Sequence, residues 1–445
     1  MSDIAAATTA GTNLALDSAI AETRQRFTRA NPASAARHEG AKKALPGGNT
    51  RAVLYYDPFP LTVTGGESNR LTDLDGHTYV DFVSEYTAGL YGHRNDKIAA
   101  AIKAVADSGW VLGAPNAYEA KLGAAIVDRF PAIERVRFCN SGTEANLMAL
   151  STARAVTGRK SIMVFDGGYH GGILTFAHGG SPLNAPFPFI TAQYNDIAGT
   201  KALIRQHGAD LAAVILEGMM GGGGCIEAKP DFLTMLRAET QKVGALLILD
   251  EVMTSRLSYR GYHGKVGLKP DLISLGKYIG GGCSFGAFGG RADILDRFDP
   301  AAPNAFGHGG TFNNNIFSMA AGFTGFTEVL TESALGQMNA LGDHLRATMN
   351  EQLQRRNVAG TVTGVGSLMN LHFVDREIAS PHDVEAADHR FLQLWQLEML
   401  LRGQYVTPRG MIALSLPFTR ADIDAFTTIF DDFLLDYRSI LPQRH

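Results

Sequence analysis

Three groups of residues stand out for the chemistry they permit. Asn140-Ser-Gly-Thr-Glu-Ala-Asn146 follows an apolar run and opens a helical pattern. Such a turn aims free backbone N–H groups and the positive end of a helix dipole at an anion. Ser141 and Thr143 add hydroxyls, and Gly142 permits close approach; an ordinary helix start with Thr143 as its cap explains the same residues. Asp250 and Glu251 close a second apolar run, and open α/β sheets take their ligands beyond strand ends. A carboxylate there can pair with a protonated ring nitrogen, or be a solvated strand-end acid. Lys277, in Leu272-Ile-Ser-Leu-Gly-Lys-Tyr-Ile-Gly-Gly-Gly282, follows a third apolar run and precedes three glycines. Burial there disfavours the charge and frees an amine lone pair that attacks aldehydes; a surface lysine with a buried stem is the plainer alternative. In chain order the three groups meet the needs of one cofactor, with an anionic tail, a pyridinium and an aldehyde.

The elements that must position these groups read as an α/β fold. Short apolar strands are expected at Val136–Cys139, Ser161–Phe165, Ala212–Glu217, Ala245–Asp250 and Leu272–Leu275, separated by helices at Glu144–Val156, Thr200–His207 and Pro230–Val243. Apolar strands alternating with helices imply a mainly parallel sheet covered on both faces. Ahead of it, 18–44 suits a helix interrupted at Asn31-Pro32, and 61–83 suits an antiparallel meander with turns at Gly65-Gly66 and Asp75-Gly76. From about Asn315 the chain turns helical, with strands expected at Ser367–Val374 and Met411–Leu416 and a last helix at Thr419–Tyr437. The implied organisation is a tail over 1–15, an N-terminal segment and meander over 16–80 joining the small domain, a large cofactor-binding domain over 81–315, and a small α+β domain over 316–445.

Bulk properties narrow the function. A net charge of -4 gives no basic footprint for nucleic acid. Met1 to Asn13 lacks the basic start and apolar block of a signal peptide and reads as a frayed tail, and no apolar run approaches a membrane span. The three cysteines, Cys139, Cys225 and Cys283, have no metal-like or redox-like spacing and suit a cytoplasmic protein.

The order Asn140–Asn146, Gly168-Tyr-His-Gly171, Asp250-Glu-Val252, Ser274-Leu-Gly-Lys277 and Gly310-Thr-Phe-Asn313 resembles the class III aminotransferases of pyridoxal 5′-phosphate (PLP) fold type I, from about Pro46 to the C-terminus. The resemblance implies a seven-stranded, mainly parallel sheet and a homodimer with shared active sites. It implies that Lys277 binds the cofactor as a Schiff base and then shuttles a proton, and that Asp250 keeps the pyridine nitrogen protonated. Tyr169 and Val252 would flank the ring; Ser141, Gly142 and Thr143 would bind the phosphate; Thr311 would reach the phosphate of the neighbouring subunit. Where many relatives carry Glu-Pro-x-Gln, this chain has Glu217-Gly-Met-Met220, so a glutamine contact to the ring oxygen is absent and Glu217 stands as a polar site residue.

Two arginines bear on the substrate. Arg51, in Gly48-Asn-Thr-Arg-Ala-Val-Leu-Tyr-Tyr56, and Arg409, in Thr407-Pro-Arg-Gly410, offer guanidinium forks suited to carboxylates. Both contexts resemble aminotransferases for aromatic β-amino acids. There Arg51 would hold the β-amino acid carboxylate in a desolvated pocket, and Arg409 the α-carboxylate of a 2-oxo acid, 2-oxoglutarate or pyruvate. Tyr86, Tyr55 and Tyr169 would wall the aryl group. The rival readings are a glutamate-1-semialdehyde aminomutase, another ω-amino acid aminotransferase, and a PLP-sensing regulator. The first usually has Asn-Ser-Pro-Val-Arg where this chain has Asn49-Thr-Arg-Ala-Val, and the last needs an appended DNA-binding domain, for which no basic N-terminal extension of helix-turn-helix size is expected here.

Overall fold

The computed structural model describes residues 2–444, with side chains for 14–177 and 179–444. Its centre is a seven-stranded sheet in the order Arg135–Cys139, Gly286–Gly290, Leu272–Gly276, Leu246–Asp250, Leu211–Glu217, Ser161–Phe165 and Phe189–Ala192. All strands run parallel except Gly286–Gly290, which lies antiparallel to both neighbours. The three inner strands from Leu211 to Gly276 are buried along their whole length, as their unbroken apolar sequence requires.

Two strands of this sheet were not expected. Gly-Ala-Phe-Gly-Gly has little strand propensity, yet its glycines let the neighbouring backbones close in: a Cβ at Gly289 would lie 2.7 Å from the Arg135 carbonyl oxygen. Phe189–Ala192 is a short edge strand beside Ser161–Phe165, in a loop-rich stretch.

The helix Gly142–Thr157 packs across strands Gly286–Gly290 and Leu272–Gly276, while Ile197–His207 and Pro230–Val243 pair with one another. The chain begins with a helix over Ser2–Ala30, so the backbone expected to fray over 1–15 is helical from Ser2; Met1 lies outside the described residues. Asn31 separates it from Pro32–Ala41, with proline at the first helical position.

The meander forms Val63–Glu67, Arg70–Asp73 and Thr78–Asp81, and Gln404–Tyr405 joins it parallel to the third strand. Thr361–Val365, Leu368–His372 and Met411–Ala413 make a three-stranded antiparallel sheet. Arg420–Asp436 is the last helix, started by a capping box between Thr419 and Asp422. None of the described helices is long and apolar enough to cross a membrane.

Candidate active site

Three adjacent parallel strands deliver three polar side chains at one edge of the sheet. The register pairs Asp250 with Glu217 on one side and with Ser274 on the other, and Lys277 follows one residue beyond Gly276. The apolar runs dictate this: each strand stays buried until its C-terminal end, where the first polar residue meets the crevice.

Asp250 is held in a network of buried partners. Its Oδ2 accepts from Asn146 Nδ2 at 2.8 Å and lies 2.8 Å from His170 Nδ1, while its Oδ1 accepts from the Val252 amide at 3.0 Å. Asn146 also donates to the His170 carbonyl at 2.9 Å and accepts from the Ser274 hydroxyl. Burial alone would push the His170 pKa down; the hydrogen bond to Asp250, its charge and that of Glu217 outweigh burial and raise it. His170 and Asp250 thus form a buried pair, with their side chains 2.8 Å apart. His170 and Asn146 lie within Gly168–Gly171 and Asn140–Asn146, but nothing local in those stretches marks them as partners of Asp250.

Glu217 is buried beside this pair. Its oxygens accept from the Gly221 amide at 3.0 Å and the Tyr169 amide at 3.2 Å. Burial is the largest effect on it and pushes its pKa to about 7; His170 pulls it down, and the charge of Asp250 pushes it further up.

Lys277 has left-handed backbone, with φ +52°, and its Nζ donates to the Tyr86 carbonyl at 2.6 Å. By area the whole residue is only half-buried. Its amine end, however, lies within the protein, and burial lowers its pKa to about 8 against the opposing charges of Asp250 and Glu217, with Arg256 and Arg51 adding to the fall. A larger share of neutral amine near neutral pH is what a nucleophilic lysine needs.

The acceptor of that amine sits in an unusual stretch. Ser84, Glu85, Tyr86 and Thr87 all have positive φ, at 48°, 50°, 51° and 80°. Left-handed backbone costs roughly 1–2 kcal/mol for each such residue, so the turn persists only because its surroundings hold it.

The anion cradle is built from the start of Gly142–Thr157. Ser141, not Thr143, caps the helix, accepting from the Glu144 amide at 3.1 Å. Thr143 Oγ1 instead accepts from the Gly172 amide at 3.3 Å. The Gly142 and Thr143 amides have no protein acceptor among the described residues, as a cradle for a phosphate requires. A Cβ at Gly142 would lie 2.8 Å from a Val252 methyl, so the glycine is needed against the protein itself.

The remaining residues singled out from the sequence are placed unevenly. Tyr169 is half exposed and borders the glycine loop, its Cβ only 3.2 Å from where a Gly222 side chain would begin. Arg51 lies with its guanidinium carbon 5.5 Å from the centre of the Tyr86 ring and pairs with Glu85. The fields of Arg409 and Arg51 both bear on the half-buried Tyr86 phenol, opposing the burial that raises its pKa. In the single chain the Arg51 side chain is 42% exposed and that of its partner Glu85 is 58% exposed, both on the surface to which the turn projects. Arg409 is exposed, its carbonyl accepting from Asn370 at 3.0 Å. Tyr55 is exposed and turned toward His38, with ring centres 6.2 Å apart. Thr311 is exposed in the loop beside a cavity of about 550 Å³ lined by Asn116, Arg137, His308 and Asn313. That lining includes neither Lys277 nor Asp250.

A sheet of this order, with a lysine, a buried carboxylate and an open helix start at its strand ends, defines a fold-type-I enzyme site. The chain belongs to the class III aminotransferase family, whose model matches residues 54–434. It is 48% identical to the β-phenylalanine transaminase of Variovorax paradoxus over 97% of this chain and 99% of that one. A crystal structure of that bacterium's β-phenylalanine aminotransferase superposes with a TM-score of 0.95, covering 97% of this chain and 100% of that one. An ω-transaminase from Sphaerobacter thermophilus is 36% identical with a TM-score of 0.86, over 91% of this chain and 98% of that one. Glutamate-1-semialdehyde 2,1-aminomutase 2 of Bacillus mycoides is 34% identical over 89% of this chain and 96% of that one.

The enzyme is therefore a PLP-dependent aminotransferase. The donor set fits the cofactor: open amides at a helix start for a phosphate, a buried carboxyl group hydrogen-bonded in place for a pyridinium nitrogen, and a lysine of lowered basicity for an aldehyde. When bound, pyridoxal 5′-phosphate supplies the electron-accepting ring and the carbonyl that takes up the amino group.

Proposed function

We propose that the enzyme moves the amino group of a β-amino acid, such as 3-amino-3-phenylpropanoate, to a 2-oxo acid. In this reading Lys277 Nζ is the covalent anchor for the cofactor and, once released, the base that moves a proton at the amine-bearing carbon. Asp250, backed by His170 and Asn146, holds the proton on the ring nitrogen. Ser141, Gly142 and Thr143 hold the phosphate, Tyr169 and Val252 flank the ring, and Glu217 lies at its polar edge, where Met220 replaces the family glutamine. Arg51 takes the carboxylate of the β-amino acid and Arg409 the α-carboxylate of the acceptor, with Tyr86 between them.

The observation that carries the substrate assignment is the link from Arg51 to Lys277. The guanidinium lies over the Tyr86 ring, and the carbonyl of that same residue accepts the reacting amine. A substrate carboxylate and its amine-bearing carbon can be gripped from one short turn. The 48% identity to a β-phenylalanine transaminase supports the same choice.

We infer also that the enzyme works as a cytoplasmic homodimer in which Thr311 completes the partner's phosphate site. Large apolar side chains left exposed on the single chain support a homodimer, Val111 at 88% with its chain neighbour Trp110, and Phe312 at 65%. The division into a large domain over 81–315 and a small domain over 316–445 joined by 16–80 belongs to the same reading.

The test is Lys277→Ala. Loss of anchor and base together removes at least about a thousandfold of turnover, while the phosphate cradle still retains the cofactor through gel filtration. Wild-type-like transamination by this variant would end the assignment.

A further inference from the structure

Arg256 is a fully enclosed cation. It is 0% exposed and, among the described residues, forms no ion pair. Its Nη2 donates to the Leu414 carbonyl and lies 3.3 Å from Met338 Sδ; its Nη1 donates to the Thr87 carbonyl at 3.4 Å; its Nε has no partner. A guanidinium buried without a carboxylate is costly, and its field on Lys277 is only part of what it does.

Its two carbonyl partners show what it holds. Thr87 ends the left-handed turn, and Leu414 directly follows the strand Met411–Ala413. At the other end of the turn, the Ser84 hydroxyl donates to the Ala413 carbonyl at 3.0 Å. The turn is thus tied at both ends to one stretch of chain, and one tie runs through Arg256. Between the ties, the Tyr86 carbonyl accepts Lys277 Nζ.

We propose that Arg256 is a positioning residue for Lys277: its planar fork holds the Thr87 and Leu414 carbonyls together and so fixes the turn that presents Tyr86 to the lysine. The same cation reaches the lysine through its field. Lys277 is faced by the carboxylates of Asp250 and Glu217 and by the guanidinium groups of Arg256 and Arg51, and Arg256 in turn by the phenols of Tyr91 and Tyr278. The proposal rests on Lys277 being the reacting lysine.

Two variants test it on the full-length protein. Arg256→Lys keeps the buried charge, but a point-like ammonium cannot reproduce a planar fork to two carbonyls. It is expected to lower kcat by at least about tenfold with KM for the amino donor nearly unchanged. Arg256→Met removes the charge at similar volume. In protein stripped of its cofactor, the pH midpoint for acylation of Lys277, read by peptide mass spectrometry, then moves up by roughly half to one unit. Wild-type kcat in Arg256→Lys, or an unmoved midpoint in a folded Arg256→Met, overturns the proposal. Should the methionine variant not fold, the kcat of the lysine variant decides alone. The midpoint reads lysine basicity without turnover, so its failure is distinct from that of Lys277 as the reacting lysine, which the Lys277→Ala assay decides.

Discussion

The amine of Lys277 lies 2.6 Å from the backbone carbonyl of Tyr86, a residue 191 positions away whose φ is +51°. A strained turn from the N-terminal third of the chain therefore defines where the lysine of the central sheet points. The same turn aims Tyr86 at Arg51 on its outer side. Amine and carboxylate grip share one support, which ties the chemistry of the site to its specificity.

The Asp250–His170 pair predicts a large effect from a residue that contacts Asp250 rather than the substrate. His170→Ala leaves a buried carboxylate without its counter-ion, which costs about 3–5 kcal/mol. Asp250 also loses one of its two side-chain partners, so its carboxyl group is less firmly aimed at a ring nitrogen. The variant is expected to lose at least about a hundredfold in kcat and to unfold at lower urea concentration. Unchanged kcat with unchanged stability would remove His170 from the account.

This histidine marks the limit of what the sequence reveals. The parallel strands, the helix Pro230–Val243 and the capped last helix were legible because apolar periodicity and Ser/Thr caps are local signals. The lysine, the aspartate and the helix-start glycine were legible because each sits at a strand end or turn with an unusual neighbourhood. The network behind them was not: Asn146, His170, Asp250 and Ser274 come from four elements separated by up to 128 residues, and only folding makes them adjacent. The left-handed turn was hidden for a different reason, since Ser-Glu-Tyr-Thr contains none of the Gly or Asn that normally mark positive φ. Strand Gly286–Gly290 escaped notice because close backbone packing, not side-chain propensity, forms it.

Glu217 and Lys277 predict opposite pH dependences of stability. The folded pKa of Glu217, about 7, lies above the ordinary 4.5, so the folded protein binds the extra proton between those values. Its contribution is fully present below pH 4.5 and is lost as pH rises to 7, by about 3 kcal/mol. Lys277, lowered from 10.5 to about 8, makes the unfolded chain bind the extra proton, so stability recovers as pH rises through that window. Urea titrations of cofactor-free protein should show a steeper fall between pH 5 and 7 in the wild type than in Glu217→Gln. Equal slopes would mean that Glu217 is ionised throughout.

Gly142→Ala separates cradle from catalyst. The new methyl would meet Val252 at 2.8 Å, and overpacking of this kind costs about 1–3 kcal/mol. Val252 or the helix start must shift, so cofactor affinity is expected to fall by roughly 5- to 150-fold, with kcat at saturating cofactor largely kept. A fluorescence titration of cofactor binding checks this; unchanged affinity would show that the close approach of Gly142 to Val252 does not shape the cradle.

The central claim is that a β-amino acid is gripped by Arg51 while its amino group reacts beside Lys277. The direct measurement is the single-turnover loss of the cofactor's visible absorbance on mixing with 3-amino-3-phenylpropanoate, in wild type, Arg51→Ala and Arg409→Ala. Glutamate-1-semialdehyde serves as the control, and return of the absorbance on adding 2-oxoglutarate or pyruvate reports the second half-reaction. Arg51 is 42% exposed when paired with Glu85, so its gain on taking a substrate carboxylate depends on that carboxylate excluding water. Truncating one partner of a desolvated charge pair costs about 2–5 kcal/mol, which is roughly a 30- to several-thousand-fold loss in the first half-reaction. Arg51→Ala is expected to show that loss, Arg409→Ala to keep the first half-reaction largely intact, and the second half-reaction to be impaired chiefly by Arg409→Ala. A change of less than about fivefold on removing Arg51, or reaction with the semialdehyde alone, would contradict the central claim.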